Sequence, residues 1–114
     1  MRRRLLLAAI GLAPLLALAH HGWSEYDSTR PLKLSGKIVE SGYEHPHGFV
    51  RLETAAGTWL CVLAPPSRMD HRGLPREALK PGGSATVEGY PSRARRDEMR
   101  AERIVAGGRT VELR

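Results

Sequence analysis

From residue 32 onward, apolar residues recur at every second position in short runs, and each run ends at a proline or glycine cluster. A period of two is the signature of an extended strand with one buried face, so this part of the chain must build a β structure. Leu32, Leu34 and Ile38 alternate with Lys33, Ser35 and Lys37, and Gly36 on the inward parity predicts a bend or bulge. Val50 and Leu52 alternate with Phe49, Arg51 and Glu53, and Ala55-Ala56-Gly57 supplies a hairpin turn. Residues 58–64 are mostly apolar on both parities, which predicts a central strand covered on both faces. After Pro65-Pro66, Ser67 with Asp70 predicts a helix start capped by Ser67. Short helical turns around Gly73 and Pro75 run to the stop at Pro81-Gly82-Gly83. Strands follow over 84–90, 99–106 and 109–114, with a charged loop over 92–98.

The order is β-β-β-α-β-β with an extra edge strand. A helix between strands three and four of a five-stranded antiparallel barrel is the OB arrangement, all-β with one short helix. The same elements also fit a small β-sandwich. The predicted core is Val50, Leu52, Trp59, Leu60, Val62, Val87, Ile104 and Val111.

Residues 1–19 have a different character: three arginines, an apolar run, then Ala17-Leu18-Ala19. That is the layout of a secretory signal peptide with cleavage after Ala19. The run from Leu5 to Ala19 is shorter than the roughly 20 residues of a membrane-spanning helix, and Pro14 interrupts it. Of the 114 residues, 20–114 then form a single exported, periplasmic domain without a transmembrane anchor. The formal charge of +6 includes Arg2, Arg3 and Arg4, so the processed chain carries only +3. So small an excess, in an exported protein, argues against nucleic acid as a partner. Cys61 is the single cysteine, so no internal disulfide forms and the core alone must hold the fold. Between Leu60 and Val62 it reads as a small buried hydrophobe. A monomer is expected.

Several stretches carry a resemblance: the start HHGWSEYD, the PHG step, APPSRM, RGL, LKPGG, VEGYPSR and EMRAERI. Together they resemble a family of small exported bacterial proteins of unknown function. Its members start the mature chain His-His-Ser/Gly-Trp/Phe and carry Asn-Pro-His, a tryptophan strand and a late V-x-G-x-P step. The resemblance covers nearly the whole processed chain. It implies an export signal and an OB-like barrel, and it transfers no activity. Position 45 is His here where the family usually has Asn, so any role of His45 is particular to this chain.

Four of the five histidines form two pairs, His20-His21 and His45-Pro46-His47. Cleavage after Ala19 makes His20 the N-terminal residue, whose α-amine and ring can chelate one ion. Both groups lose protons near neutral pH, and nitrogen-rich sites favour copper(II) among the divalent ions. In an extended strand His45 and His47 share a face, together with Arg51. The candidate metal set is therefore His20, His21, His47 and His45, converging only if the lead-in folds back over the second strand. Solvated terminal and turn histidines are the plain alternative. No catalytic triad, phosphate loop or cysteine-based zinc spacing occurs, so no enzyme and no other cofactor is expected. A second functional reading is an interaction module for an envelope protein or glycan. It would use the barrel face and the basic 93–103 stretch, where Arg93, Arg95, Arg96, Arg100 and Arg103 mix with Asp97, Glu98 and Glu102.

Overall fold

A computed structural model describes residues 22–114 of the protein. The expected signal segment with its cleavage point, and His20 and His21, lie outside the described residues. Six strands run in chain order: β1 (Leu32–Gly42), β2 (Phe49–Thr54), β3 (Gly57–Val62), β4 (Ser84–Pro91), β5 (Glu98–Ala106) and β6 (Arg109–Glu112). One short α-helix, α1 (Pro66–His71), and a 3₁₀ turn over Arg76–Leu79 lie between β3 and β4. Among the described residues no helix is long and apolar enough to cross a membrane.

β1 is long because it serves two partners. Its first half pairs antiparallel with β4, from Leu32 opposite Gly89 to Lys37 opposite Ser84. Its second half pairs with β2, from Lys37 opposite Glu53 to Gly42 opposite Phe49. β2 continues to β3, and β4 to β5. The start of β5 then runs parallel to the end of β3, with Leu60, Cys61 and Val62 opposite Glu98, Met99 and Arg100. That contact closes five strands into a barrel with the helix between the third and fourth, the OB-like form expected from the strand order. Closure excludes the open sandwich. β6 is an addition on the far half of β5.

Two glycines make the closure possible. A Cβ at Gly36 would lie 2.2 Å from the carbonyl oxygen of Glu53, and one at Gly89 would lie 1.9 Å from that of Arg100. Only glycine lets neighbouring backbones approach that closely. The register shift in β1 falls between Ile38 and Glu40, just beyond the position that the sequence suggests. A second shift sits at Glu88/Gly89 in β4.

The interior is filled by Ile38, Val50, Leu52, Cys61, Val87, Met99 and Ile104, all fully buried. Each large aliphatic chain so buried contributes about 1.5–3 kcal/mol. Met69 of α1, then Leu74 and Leu79, pack into the same core. Of the predicted core, Val50, Leu52, Val87, Ile104 and Val111 are buried, whereas Trp59, Leu60 and Val62 are only half-buried. β3 is thus not covered on both faces. A closed barrel has one interior, and parity sends Leu60 and Val62 outward with no layer over them. The helix start also differs from expectation. Pro65 is the N-cap and Pro66 the first helical residue, with no side-chain cap. A proline at that position needs no N–H partner and already has helical φ, so Ser67 falls inside the helix.

The close approach at Gly36 predicts that Gly36→Val lowers stability by about 1–3 kcal/mol through overpacking. Val39→Thr, at a position 44% exposed, should change it by less than about 0.5 kcal/mol. Urea midpoints test both, and an unchanged midpoint in Gly36→Val would refute the contact.

Candidate functional site

The lead-in is stitched to one end of the barrel. Trp23–Glu25 form a single 3₁₀ turn, and Tyr26 then bridges to Ser92 just after β4. The backbone N–H of Asp27 donates to the Pro91 carbonyl at 2.8 Å, and that of Arg93 donates to the Glu25 carbonyl at 3.0 Å. Tyr26 is buried, and its hydroxyl donates to Glu98 Oε2 at 2.7 Å. Arg95 Nη1 reaches the same carboxylate oxygen at 3.4 Å. Burial first, then the bond to Glu98 and its charge, push the Tyr26 hydroxyl far above its ordinary pKa. Trp23 and Tyr26 thus pack the lead-in against the barrel.

Two residues on from Glu98 lies Arg100, only 5% exposed. Its guanidinium covers one face of the Trp23 ring at 4.6 Å from the centroid, and Arg114 covers the ring at 4.4 Å. Such cation–π contacts stabilise when desolvated, but they do not cancel charge. Arg100 Nη2 also lies 3.2 Å from His47 Nε2. Arginine only donates, so Nε2 of His47 must be the acceptor and its proton sits on Nδ1. The Nε of Arg100 is buried without a hydrogen-bond partner. Burial lowers the Arg100 pKa, and the nearby charges of Arg68 and Arg114 lower it further.

Among the described residues, the acidic side chains around Arg100 are engaged elsewhere. Glu98 binds Tyr26 and Arg95. Glu102 binds Tyr90 and Arg114, and Glu112 binds Arg103. Arg100 is therefore a buried cation with an imidazole and an indole beside it and no carboxylate bonded to it. Two openings lie beside groups near it, one at Trp23 and Arg114 and the other at Arg68. One, about 220 Å³, is lined by Trp23, Ser24, Ser28, Tyr90, Arg93 and Arg114, among others. The other, about 380 Å³, is lined by Pro65, Ser67, Arg68, His71 and Arg72. Neither has an acidic lining residue.

The histidines fall differently from the strand reading. Residues 45–48 are an irregular bend with a cis His45–Pro46 bond, and β2 begins only at Phe49. His45 is exposed, His47 is half-buried, and they share no strand face with Arg51, which pairs with Glu40 at 2.9 Å. The Pro-His step is a loop because Gly48 tucks in against Ala64, its N–H donating to the Ala64 carbonyl at 2.9 Å. Among the described residues no three His, Cys, Asp or Glu side chains gather as a metal would need. Cys61 is buried, and burial pushes its thiol pKa up to about 12. The sequence reading counts Arg100 only as one arginine of the basic 93–103 stretch. Its position between Met99 and Ala101 in a strand marks it as outward-facing, and only the folded lead-in makes that face a covered one.

The raised Tyr26 pKa fixes the sign of an alkaline effect. A group that holds its proton more tightly when folded stabilises fully below its unfolded pKa of about 10, and that stability is lost as pH rises above it. Tyr26→Phe should lower stability near pH 7 by about 1–3 kcal/mol, since Glu98 loses its hydroxyl donor. It should also flatten the fall in stability above pH 10. Denaturant melts from pH 8 to pH 11 test this, and parallel pH profiles of the two proteins would refute it.

The barrel resembles solved structures of other proteins at low sequence identity. The complex of TiaS with its tRNA and ATP is 23% identical with a TM-score of 0.52, covering 78% of this chain and 20% of that one. The S. pombe Stn1–Ten1 complex is 14% identical with a TM-score of 0.54, covering 68% of this chain and 57% of that one. The OBody AM3L09 bound to hen egg-white lysozyme is 13% identical with a TM-score of 0.51, covering 77% of this chain and 93% of that one. The protein thus spans about a fifth of the TiaS chain, and these likenesses concern the fold alone. No curated protein matches it in sequence. A family model matches residues 8–100, across both the apolar start and most of the barrel, and the chain belongs to this family of unknown function, DUF6152.

Proposed function

We propose that the protein is an exported, non-catalytic binding module that holds an acidic glycan of the cell envelope. The ligand lies at the barrel end where the lead-in, the 43–48 loop and the 92–97 loop meet. The observation that carries this reading is Arg100, buried and bonded to no carboxylate among the described residues. A buried charge without a counter-charge costs several kcal/mol, and an acidic ligand offsets that cost. The loops between strands one and two and between four and five are also where OB barrels take oligosaccharides. Here they supply His47 and Arg93, beside a cleft with two further hydroxyls, Ser24 and Ser28. Export with cleavage after Ala19, into the periplasm, is part of the same proposal.

The test is calorimetric titration with alginate, a polyuronate, against neutral dextran. Alginate should bind and dextran should not, and the affinity should fall as salt screens the charges. Arg93→Ala, which removes an exposed charge at the cleft, should weaken alginate binding about tenfold. Equal binding of both polymers, or none at low salt, sinks the reading.

A second reading is copper(II) bound at the mature N-terminus by the amine and ring of His20, with His21, His47 and then His45 as further ligands. One observation favours it. Trp23 rests on Arg100, and Arg100 touches His47, so the lead-in does turn back toward the Pro-His loop. From Trp23 back to His21 is two residues, a span of at most about 7 Å. His47 Nε2 is engaged with Arg100, so ligation through that ring requires Arg100 to withdraw. Copper titration of the mature form and of a form with one extra N-terminal residue, followed by paramagnetic resonance, tests the chelate. The extension should weaken binding and change the spectrum, because it removes the amine from His20. Identical behaviour removes the chelate.

A further inference from the structure

We infer that Arg68, Arg72 and Ser67 on helix α1, with the charge of buried Arg100 close to Arg68, form an oxyanion site that takes a single carboxylate, sulfate or phosphate group. The inference names the group recognised by the acidic-ligand reading above, and rests on that reading only for the source of the group.

Arg68 and Arg72 are four residues apart, so they lie on one face of the helix. Backbone carbonyls fix both. Arg68 Nη1 donates to the Leu113 carbonyl at 3.0 Å. Arg72 Nη1 donates to the carbonyl of Glu112 at 2.8 Å and to the chain-terminal oxygen of Arg114 at 3.1 Å. A guanidinium has five N–H donors, so each arginine is held in place with donors left over. A carbonyl orients a cation without neutralising it, so Arg68, held by Leu113 alone among the described residues, keeps its full charge. Ser67 and His71 line the same opening of about 380 Å³.

The neighbouring acids point away. Asp70 is two positions from each arginine, on the other side of the helix, where its charge acts on Tyr43. The Glu112 side chain binds Arg103, although its carbonyl faces Arg72. Three guanidiniums, of Arg68, Arg100 and Arg114, lie close enough for the first and third to disfavour the charge of the second. Arg114 has Glu102 at 3.2 Å. Arg68 and Arg100 have no such partner among the described residues, so the opening beside Arg68 is where an anion gains most. An oxyanion accepts several charge-assisted hydrogen bonds at once, and the planar guanidinium fork matches its geometry.

The probe is sodium phosphate, with sodium chloride adjusted to constant ionic strength, followed through the Nε–H signals of Arg68 and Arg72 in nitrogen-15 spectra. Saturable shifts of both signals are expected. Phosphate at about ten times its Kd should also raise Tm by about 6–10 °C. Arg72→Gln, an exposed position, should leave the fold intact and weaken phosphate about tenfold or more. Shifts that grow linearly with phosphate, or equal affinity in Arg72→Gln, overturn the site. Alginate is the second arm. If it displaces phosphate, the group belongs to a glycan. If phosphate saturates the site and alginate does not bind, the site stands with a free ion as its ligand and the glycan reading falls. If alginate binds undiminished to Arg68→Gln/Arg72→Gln, the site falls and the glycan reading stands.

Discussion

Everything in this molecule depends on three residue pairs, Leu60–Glu98, Cys61–Met99 and Val62–Arg100, where β5 runs parallel to β3. The other strand contacts are antiparallel ones and could exist in an open sheet. The short parallel contact turns the sheet into a barrel, gives it one interior, and removes two free edges. It also decides which part of β5 is available for anything else. The first three residues face β3, the later ones face β6, and the outward side chains at the junction are Glu98 and Arg100.

Those two residues show how burial treats opposite charges on one strand face. Glu98 and Arg100 are 6% and 5% exposed under the same lead-in. Glu98 is given a phenol and a guanidinium. Arg100 is given an imidazole lone pair and an indole face. The first environment satisfies a carboxylate. The second orients a cation but supplies no negative charge, which is a weak solvation for a guanidinium out of water. The same lead-in that completes one pair therefore leaves the other open. The imbalance extends to α1, where Arg68 holds a chain carbonyl rather than an acid.

Much of the fold is legible in the sequence because barrel strands obey local rules. Alternation locates the strands, the Ala55-Ala56-Gly57 turn falls where expected, and the helix position identifies the OB order. Leu60 and Val62 mislead because an all-apolar run reads as doubly covered, and parity in a closed barrel overrides composition. The Pro-His step misleads in a similar way. Spacing alone puts His45 and His47 on one strand, but the loop anchored by Gly48 to Ala64 takes them off it. Arg100 is the least legible residue. Its burial comes from a lead-in some 75 positions earlier, and no local pattern carries that information.

The setting of Trp23 has an optical consequence. The protein has two tryptophans, and their surroundings differ in kind. Trp59 packs against the hydrophobic cluster, whereas Trp23 lies against two guanidiniums and an edge of Tyr90. An indole's emission follows the electric field across its ring, so Trp23 acts as a built-in voltmeter for the charged end of the barrel. Trp59 serves as the internal reference for the integrity of the core, which makes the two events separable in a single spectrum once either residue is replaced by phenylalanine.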